Sequence, residues 1–153
     1  MSNLDTFAAE RMTAIWPEVE PLARVHYAEI GISKRPLRWA RDHYAAMEDA
    51  GSHRFYTIRD DIGKLIAYCS MFLVCSPHDQ VREAHEDAIY VVPEFRGHLG
   101  PSFERRIDYA LSEEYVKRIF RERIITGDPE RATRRGPLGY EPQSVLWRRD
   151  LGD

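Results

Sequence analysis

The 153 residues predict one α/β (α+β) domain in which helices cover a mixed sheet. Three observations carry this. Apolar residues recur at three- and four-residue steps in the first 50 positions, the steps of a helix face. The run KLIAYCSMFLVCS (64–76) is long, apolar and rich in strand formers. The stretch DAIYVVPEFRGHLGPSFERRIDYAL (87–111) passes from an apolar strand through Pro-Glu and a glycine turn into an amphipathic helix.

In chain order, Val19, Leu22, Ala23, His26, Tyr27 and Ile30 line one face between Pro17, suited to a first helical turn, and Gly31. A second helix is expected from about Leu37 to Ala50, carrying Trp39, His43, Tyr44 and Met47 and stopped by Gly51. HRFYTIRD (53–60) alternates, DDIGK turns at Gly63, and 64–76 returns, which together predict a β-hairpin. SPHDQVREAH (76–85) reads as a polar loop and EDAIYVV (86–92) as the next strand. Phe103, Ile107, Ala110 and Leu111 share one face of the following helix, opposite Glu104, Arg105, Arg106 and Asp108. A short strand is expected within 118–129, a helical turn or two in 129–136, and a closing strand in 140–151. No repeat, linker or low-complexity tract interrupts the chain, so residues 1–153 are expected to form one domain of ordinary size.

Net charge is −3, so no global basic field draws the chain to nucleic acid, and net charge gives no indication of such a partner. No uncharged apolar run reaches the roughly 18 residues of a membrane span, and MSNLDTFAAERM lacks a signal pattern; a cytoplasmic protein is expected. Residues 1–90 carry 10 Lys+Arg against 14 Asp+Glu, and residues 91–153 carry 12 against 11, so the half holding the glycine turn is the less acidic. Cys69 and Cys75 lie six apart in an apolar run and are expected to form neither a disulfide nor a metal pair.

The order strand, glycine turn, helix directs backbone N–H groups at an anion, which makes 93–102 a candidate phosphate site. IYVVPEFRG (89–97), the helix after it, and LGYEPQSVLWRRDL (138–151) together resemble the GNAT superfamily of acyl-CoA N-acyltransferases. They resemble that family's fourth strand and pyrophosphate loop, its following helix, and its closing Leu-Gly-aromatic-x-Pro turn and final strand. With SPH (76–78) and AHEDAIYVVPEFRG (84–97), the chain is most similar to small acetyltransferase-like proteins encoded by tailed phages. The resemblance covers roughly residues 64–151; before that only the order of elements agrees.

The resemblance implies a mostly antiparallel sheet whose central fourth and fifth strands splay apart, with acetyl-CoA as cosubstrate between them. Tyr90, Val91 and Val92 would flank the pantetheine arm, and Arg96, Gly97, His98, Leu99, Gly100, Pro101 and Ser102 would meet the diphosphate. The family's usual loop is Arg/Gln-x-x-Gly-x-Gly/Ala, and an ungapped reading from Arg96 puts Leu99 and Pro101 where its small residues belong; the preferred alignment takes the loop here as one residue shorter. Shortening it matches Gly100 to the last glycine, so that Gly100 caps the helix, Pro101 enters its first turn, and His98 and Ser102 offer side-chain donors. This reading requires the peptide N–H groups of 96–102 to be open to a ligand.

Transfer of an acyl group to an amine needs a base. Relatives often supply it from the fourth strand, which points to His85, Glu86 and Asp87. Period-two alternation puts His85 and Asp87 on the face of Ile89 and Val91, and Glu86 on the face of Tyr90 and Val92. Glu86 lies nearest the family's carboxylate base, with Asp87 second. The family's usual tyrosine acid falls at Arg135, which cannot donate a proton readily. Arg131, Arg134 and Arg135 are candidates for neutralising phosphate, with an ordinary solvated face as the plainer reading. Tyr90 and Tyr140 are strand aromatics first, and His78 and Arg82 are loop candidates for binding.

The sequence therefore supports an acetyl-CoA-dependent N-acetyltransferase acting on a primary amine: a protein lysine or N-terminus, a small amine, or a modified nucleobase. Leu99, Pro101 and Arg135 motivate an alternative, a GNAT-like binding or inhibitory module without catalysis. Aromatic residues in the final strand would suit a homodimer.

Overall fold

A computed structural model describes residues 5–31, 33, 35–122 and 139–140. The chain divides into two compact units, residues 1–123 and 124–153. In the second unit the described residues are Gly139, at φ +84°, and Tyr140. The helical turns of 129–136, the strand of 140–151 and the arginines at 131, 134 and 135 lie outside the described residues, apart from Tyr140.

The first unit orders its elements as β1 (Thr6–Glu10), α1 (Trp16–Ile30), α2 (Arg41–Asp49), β2 (His53–Arg59), β3 (Leu65–Cys75), β4 (Arg82–Val91), a 3-10 turn (Pro93–Phe95), α3 (Arg96–Glu113) and β5 (Arg118–Phe120). The sheet runs β1-β2-β3-β4-β5, antiparallel except for the parallel pair β4 and β5. This is the mixed, mostly antiparallel sheet with helices that the sequence predicts.

Two cores sandwich the sheet. On one face Phe103, Ile107 and Leu111 of α3 pack on Tyr56, Ile58, Ala67 and Val91. On the other, Trp16 and Val19 of α1 pack on Phe55, Tyr68 and Tyr90. A strand buried on both faces has no solvent side to alternate with, which is why 65–73 reads as a continuous apolar run. The β2–β3 hairpin turns at Asp60, whose Oδ1 accepts from the N–H groups of Ile62 and Lys64, with Gly63 at φ +83°. Cys69 is buried and Cys75 exposed, both as free thiols.

Four elements differ from expectation. β1 is absent from the sequence reading because Thr-Phe-Ala-Ala-Glu carries little strand propensity; its pairing with β2 makes it a strand. α2 starts at Arg41 rather than Leu37, after an Ala40 that offers no side-chain cap; Trp39 lies edge-on against Trp16, centroids 4.9 Å apart. β4 starts at Arg82, inside the expected loop, because the β3–β4 ladder closes at Cys75 and Arg82. α3 starts at Arg96, and the segment read as a glycine turn is helical.

Gly31 ends α1 in a left-handed conformation, φ +62°, and its N–H bonds to the Tyr27 carbonyl. Gly31→Ala is expected to lower stability by about 1 kcal/mol, the cost of a Cβ in that conformation, and urea unfolding measures it. An unchanged midpoint would show that the cap relaxes.

Candidate functional site

β4 carries the candidate chemistry, and a bulge decides how it is displayed. Ser70 pairs with Ala88 and Met71 with Glu86, so Asp87 is the extra residue on β4. An inserted residue reverses the alternation of side chains beyond it. This corrects the expected faces. Glu86 lies with Ile89 and Val91 on the α3 side, whereas Asp87 lies with Tyr90 on the side of α1 and α2.

Glu86, placed first as a base by the sequence, is withdrawn from solvent. Its side chain is 3% exposed and ion-paired with Arg121, itself 2% exposed, which also reaches Asp108 of α3 at 2.6 Å. A buried carboxylate held by a guanidinium is a structural charge rather than a group free to take a proton from a substrate. His85 is partly exposed, stacks on Phe120 with centroids 4.6 Å apart, and lies 3.3 Å from Glu83 through Nε2.

Asp87 is exposed. Its Oδ2 accepts hydrogen bonds from the Tyr44 hydroxyl at 2.8 Å and the Ser70 hydroxyl at 2.9 Å, while Oδ1 has no partner among the described residues. His53 Nε2 lies 2.8 Å from Ser70 Oγ, and His53 Nδ1 faces Glu48 at 3.8 Å. Tyr44, Ser70 and His53 are site residues that sequence reasoning missed. The one available signal was polarity in the wrong place: Ser70 is the polar residue inside an apolar strand, and His53 opens another.

β5 pairs with β4 over Glu83, Ala84 and His85. Beyond that ladder, Glu86 to Val91 pair with β3 on one side and have no described strand partner on the other. Asp87 lies near the start of that stretch, and α3 begins beyond its end.

At that end the expected phosphate turn needs correction. Arg96 N–H bonds to the Pro93 carbonyl, and from Leu99 onward helix geometry takes the backbone donors into its own ladder. Only the N–H groups of Gly97 and His98 stand outside that ladder. Gly100 is the fifth helical residue and not a cap, and Pro101 the sixth, not in the first turn. Leu99 is a core side chain, and Ser102 spends its hydroxyl on the Leu99 carbonyl at 2.9 Å. Val91 packs in the α3 core and Val92 is half-buried.

Arg96 donates through Nε to the Val91 carbonyl at 2.8 Å and through Nη2 to Glu29 at 2.7 Å, with its guanidinium 5.4 Å from the Tyr90 ring centre. The Arg96 guanidinium holds Glu29 below the usual carboxylate range. His98 is exposed beside Phe95. A Cβ built on Gly97 or Gly100 meets nothing within 4 Å, so the space over the helix start is open. Of the N–H groups of 96–102 that the sequence reading requires to be open, helix geometry leaves those of Gly97 and His98, fewer than a glycine loop supplies to a diphosphate.

Burial pushes the His26 and His53 imidazoles below their ordinary value. The unfolded chain therefore binds protons that the folded chain resists, so stability falls as pH drops below about 6.5 and is fully present above it. The melting temperature is expected to decline between about pH 7 and pH 5, and less in His53→Gln. Identical declines in the two proteins would show that His53 contributes nothing to it.

No helix among the described residues is long and apolar enough to cross a membrane, and these residues form no cluster suited to a metal ion. No protein-family model matches the chain, and no curated protein matches it. Solved structures do. An aminoglycoside acetyltransferase from an uncultured soil metagenomic sample, in complex with sisomicin, superposes with TM-score 0.72 at 12% identity over 97% of both chains. A structure described as a predicted acetyltransferase with acetyl-CoA, from Clostridium acetobutylicum, gives 0.71 at 13% over 97% of both chains. A ribosomal-protein-alanine N-acetyltransferase from Brucella melitensis biovar Abortus 2308 gives 0.66 at 18%, over 94% of this chain and 99% of the other. The chain has the acetyltransferase fold. These likenesses bear on the fold and not on the phage-encoded subgroup.

Proposed function

We propose that this chain, built on the acetyltransferase fold, is an acetyl-CoA-dependent N-acetyltransferase acting on a primary amine, with Asp87 as its base. The observation that carries the reading is the placement of Asp87: an exposed carboxylate on the bulge of β4, just beyond the described ladder with β5. Acetyl-CoA, when bound, supplies an acetyl group activated as a thioester. The β4 edge at Tyr90, Val91 and Val92 would hold its arm, and the first turn of α3, through Gly97, His98 and Arg96, its phosphates.

Asp87 accepts a proton on Oδ1 from the acceptor amine, because Oδ2 already takes two hydroxyl donors. Those donors, from α2 and β3, fix its orientation. Glu86 and Arg121 keep the other face of β4 closed. Acceptors of the kinds named for the similar structures, an aminoglycoside or a ribosomal-protein alanine, are the first to try.

The alternative, an inactive binding or inhibitory module, draws on one observation. Helix runs through the segment where the family turns, and Arg96 is already engaged by Glu29. Calorimetry with acetyl-CoA, desulfo-CoA and ATP, followed by transfer assays on an aminoglycoside, a lysine peptide and a peptide with a free N-terminus, separates the two. Binding of acetyl-CoA with transfer to one amine is the expected result. Binding with no transfer to any of them favours the module, and absence of binding removes both.

A further inference from the structure

Ser70 and His53 are 1% and 3% exposed, polar side chains on β3 and β2 set among aromatic rings. Phe55 and Phe72 lie beside the His53 ring, at 6.3 and 5.6 Å between centroids, and Tyr44 at 5.2 Å. Burying such groups is unfavourable unless they are hydrogen-bonded, and the fold does not require them there. Their bonds lead to one atom, Asp87 Oδ2.

We propose that Ser70 and His53 are positioning residues for Asp87, which orient its carboxylate and reserve Oδ1 for the acceptor amine. The inference rests on the reading of Asp87 as the base. A serine hydroxyl has a single hydrogen, and its direction is set by what lies on either side. With Asp87 ionised, that hydrogen goes to Oδ2, so Ser70 Oγ must accept from behind, and the neighbour at 2.8 Å is His53 Nε2. His53 is therefore in the Nε2–H form. The same assignment leaves Nδ1 as a bare lone pair, and Nδ1 is indeed buried without a hydrogen-bond partner among the described residues.

The charged groups facing His53 are Glu48 from α2, Asp87 from β4 and Arg54 from its own strand. Glu48 lies 3.8 Å from Nδ1 and accepts from the backbone and hydroxyl of Thr13. A proton added at Nδ1 would meet Glu48 and leave the Nε2–H donor in place. The Ser70 hydrogen thus stays aimed at Asp87 in either charge state of the imidazole. Tyr44 supplies the second donor to Oδ2 from α2, so the carboxylate is gripped from two elements while Oδ1 faces outward.

The test combines long-range 15N NMR of His53 and the 13C signal of the Asp87 carboxyl at pH 8 with steady-state kinetics on the full chain. In the wild type the His53 spectrum is expected to show protonated Nε2 and bare Nδ1, and the Asp87 carboxyl signal is expected to shift in Ser70→Ala, which removes one of its two donors. In Ser70→Ala and His53→Leu kcat falls by about 10-fold with KM for acetyl-CoA unchanged, and His53→Gln, which keeps an N–H donor, restores part of it. An Nδ1–H spectrum, or an Asp87 carboxyl signal unmoved in Ser70→Ala, overturns the proposal. If the wild type acetylates no amine, the functional reading falls, while the NMR measurements still decide whether Ser70 and His53 position Asp87.

Discussion

Asp87→Asn is expected to slow acetyl transfer by about 10²–10⁴-fold, the range a positioned base contributes. Acetyl-CoA binding, followed by calorimetry, is expected to persist. Asparagine has the shape of aspartate and keeps an oxygen for the Tyr44 and Ser70 hydroxyls, so the local architecture survives the change. What disappears is the ability of the outward atom to take a proton. Excess hydroxide should recover part of the loss, since a more alkaline medium presents more of the amine already neutral. A loss confined to a few-fold, or an equal loss of cosubstrate affinity, would remove Asp87 from the role of base and return attention to His85, the other titratable group of the strand with an exposed side chain.

The second large effect is on stability. Arg121→Met leaves the Glu86 carboxylate in a buried site without its guanidinium, and removing one member of a buried pair costs about 3–5 kcal/mol. Asp108 loses the same partner. Cys69, fully buried, belongs to the same surroundings, and its thiol is pushed up by that burial and next by Glu86. Thermal unfolding is the measurement, and the double variant Glu86→Gln with Arg121→Met is expected to regain much of the loss, since a neutral amide is far cheaper to bury than an orphaned charge. A single variant as stable as the wild type would mean that water enters to solvate Glu86, and would reopen its claim to act on substrate.

Much of the fold was legible because most elements announce themselves by apolar spacing. α1, the β2–β3 hairpin and the buried face of α3 follow from positions such as Val19, Phe55 and Phe103. β1 escaped because a strand of Thr, Phe, Ala and Glu is made by its neighbour rather than by its own preference. The site was legible to one segment, 85–102, but not in its details. A single bulge residue exchanged the faces expected of Glu86 and Asp87, and no local pattern in His-Glu-Asp-Ala distinguishes a regular strand from a bulged one. Tyr44 and His53 reach Asp87 only through tertiary packing, from 43 and 34 positions away in the chain.

The opening of α3 is made from poor material for a helix. Gly97 and Gly100 each give up about 1 kcal/mol relative to alanine, and Pro101 both lacks an N–H and crowds the carbonyl of Gly97. What keeps those residues coiled is the anchoring around them, Leu99 and Phe103 below and Arg96 clasped by Glu29 at the tip. The opening two turns are consequently held coiled by packing and one ion pair more than by their own preference, so that Glu29→Gln, which removes the clasp on Arg96, is expected to loosen this end of the helix first.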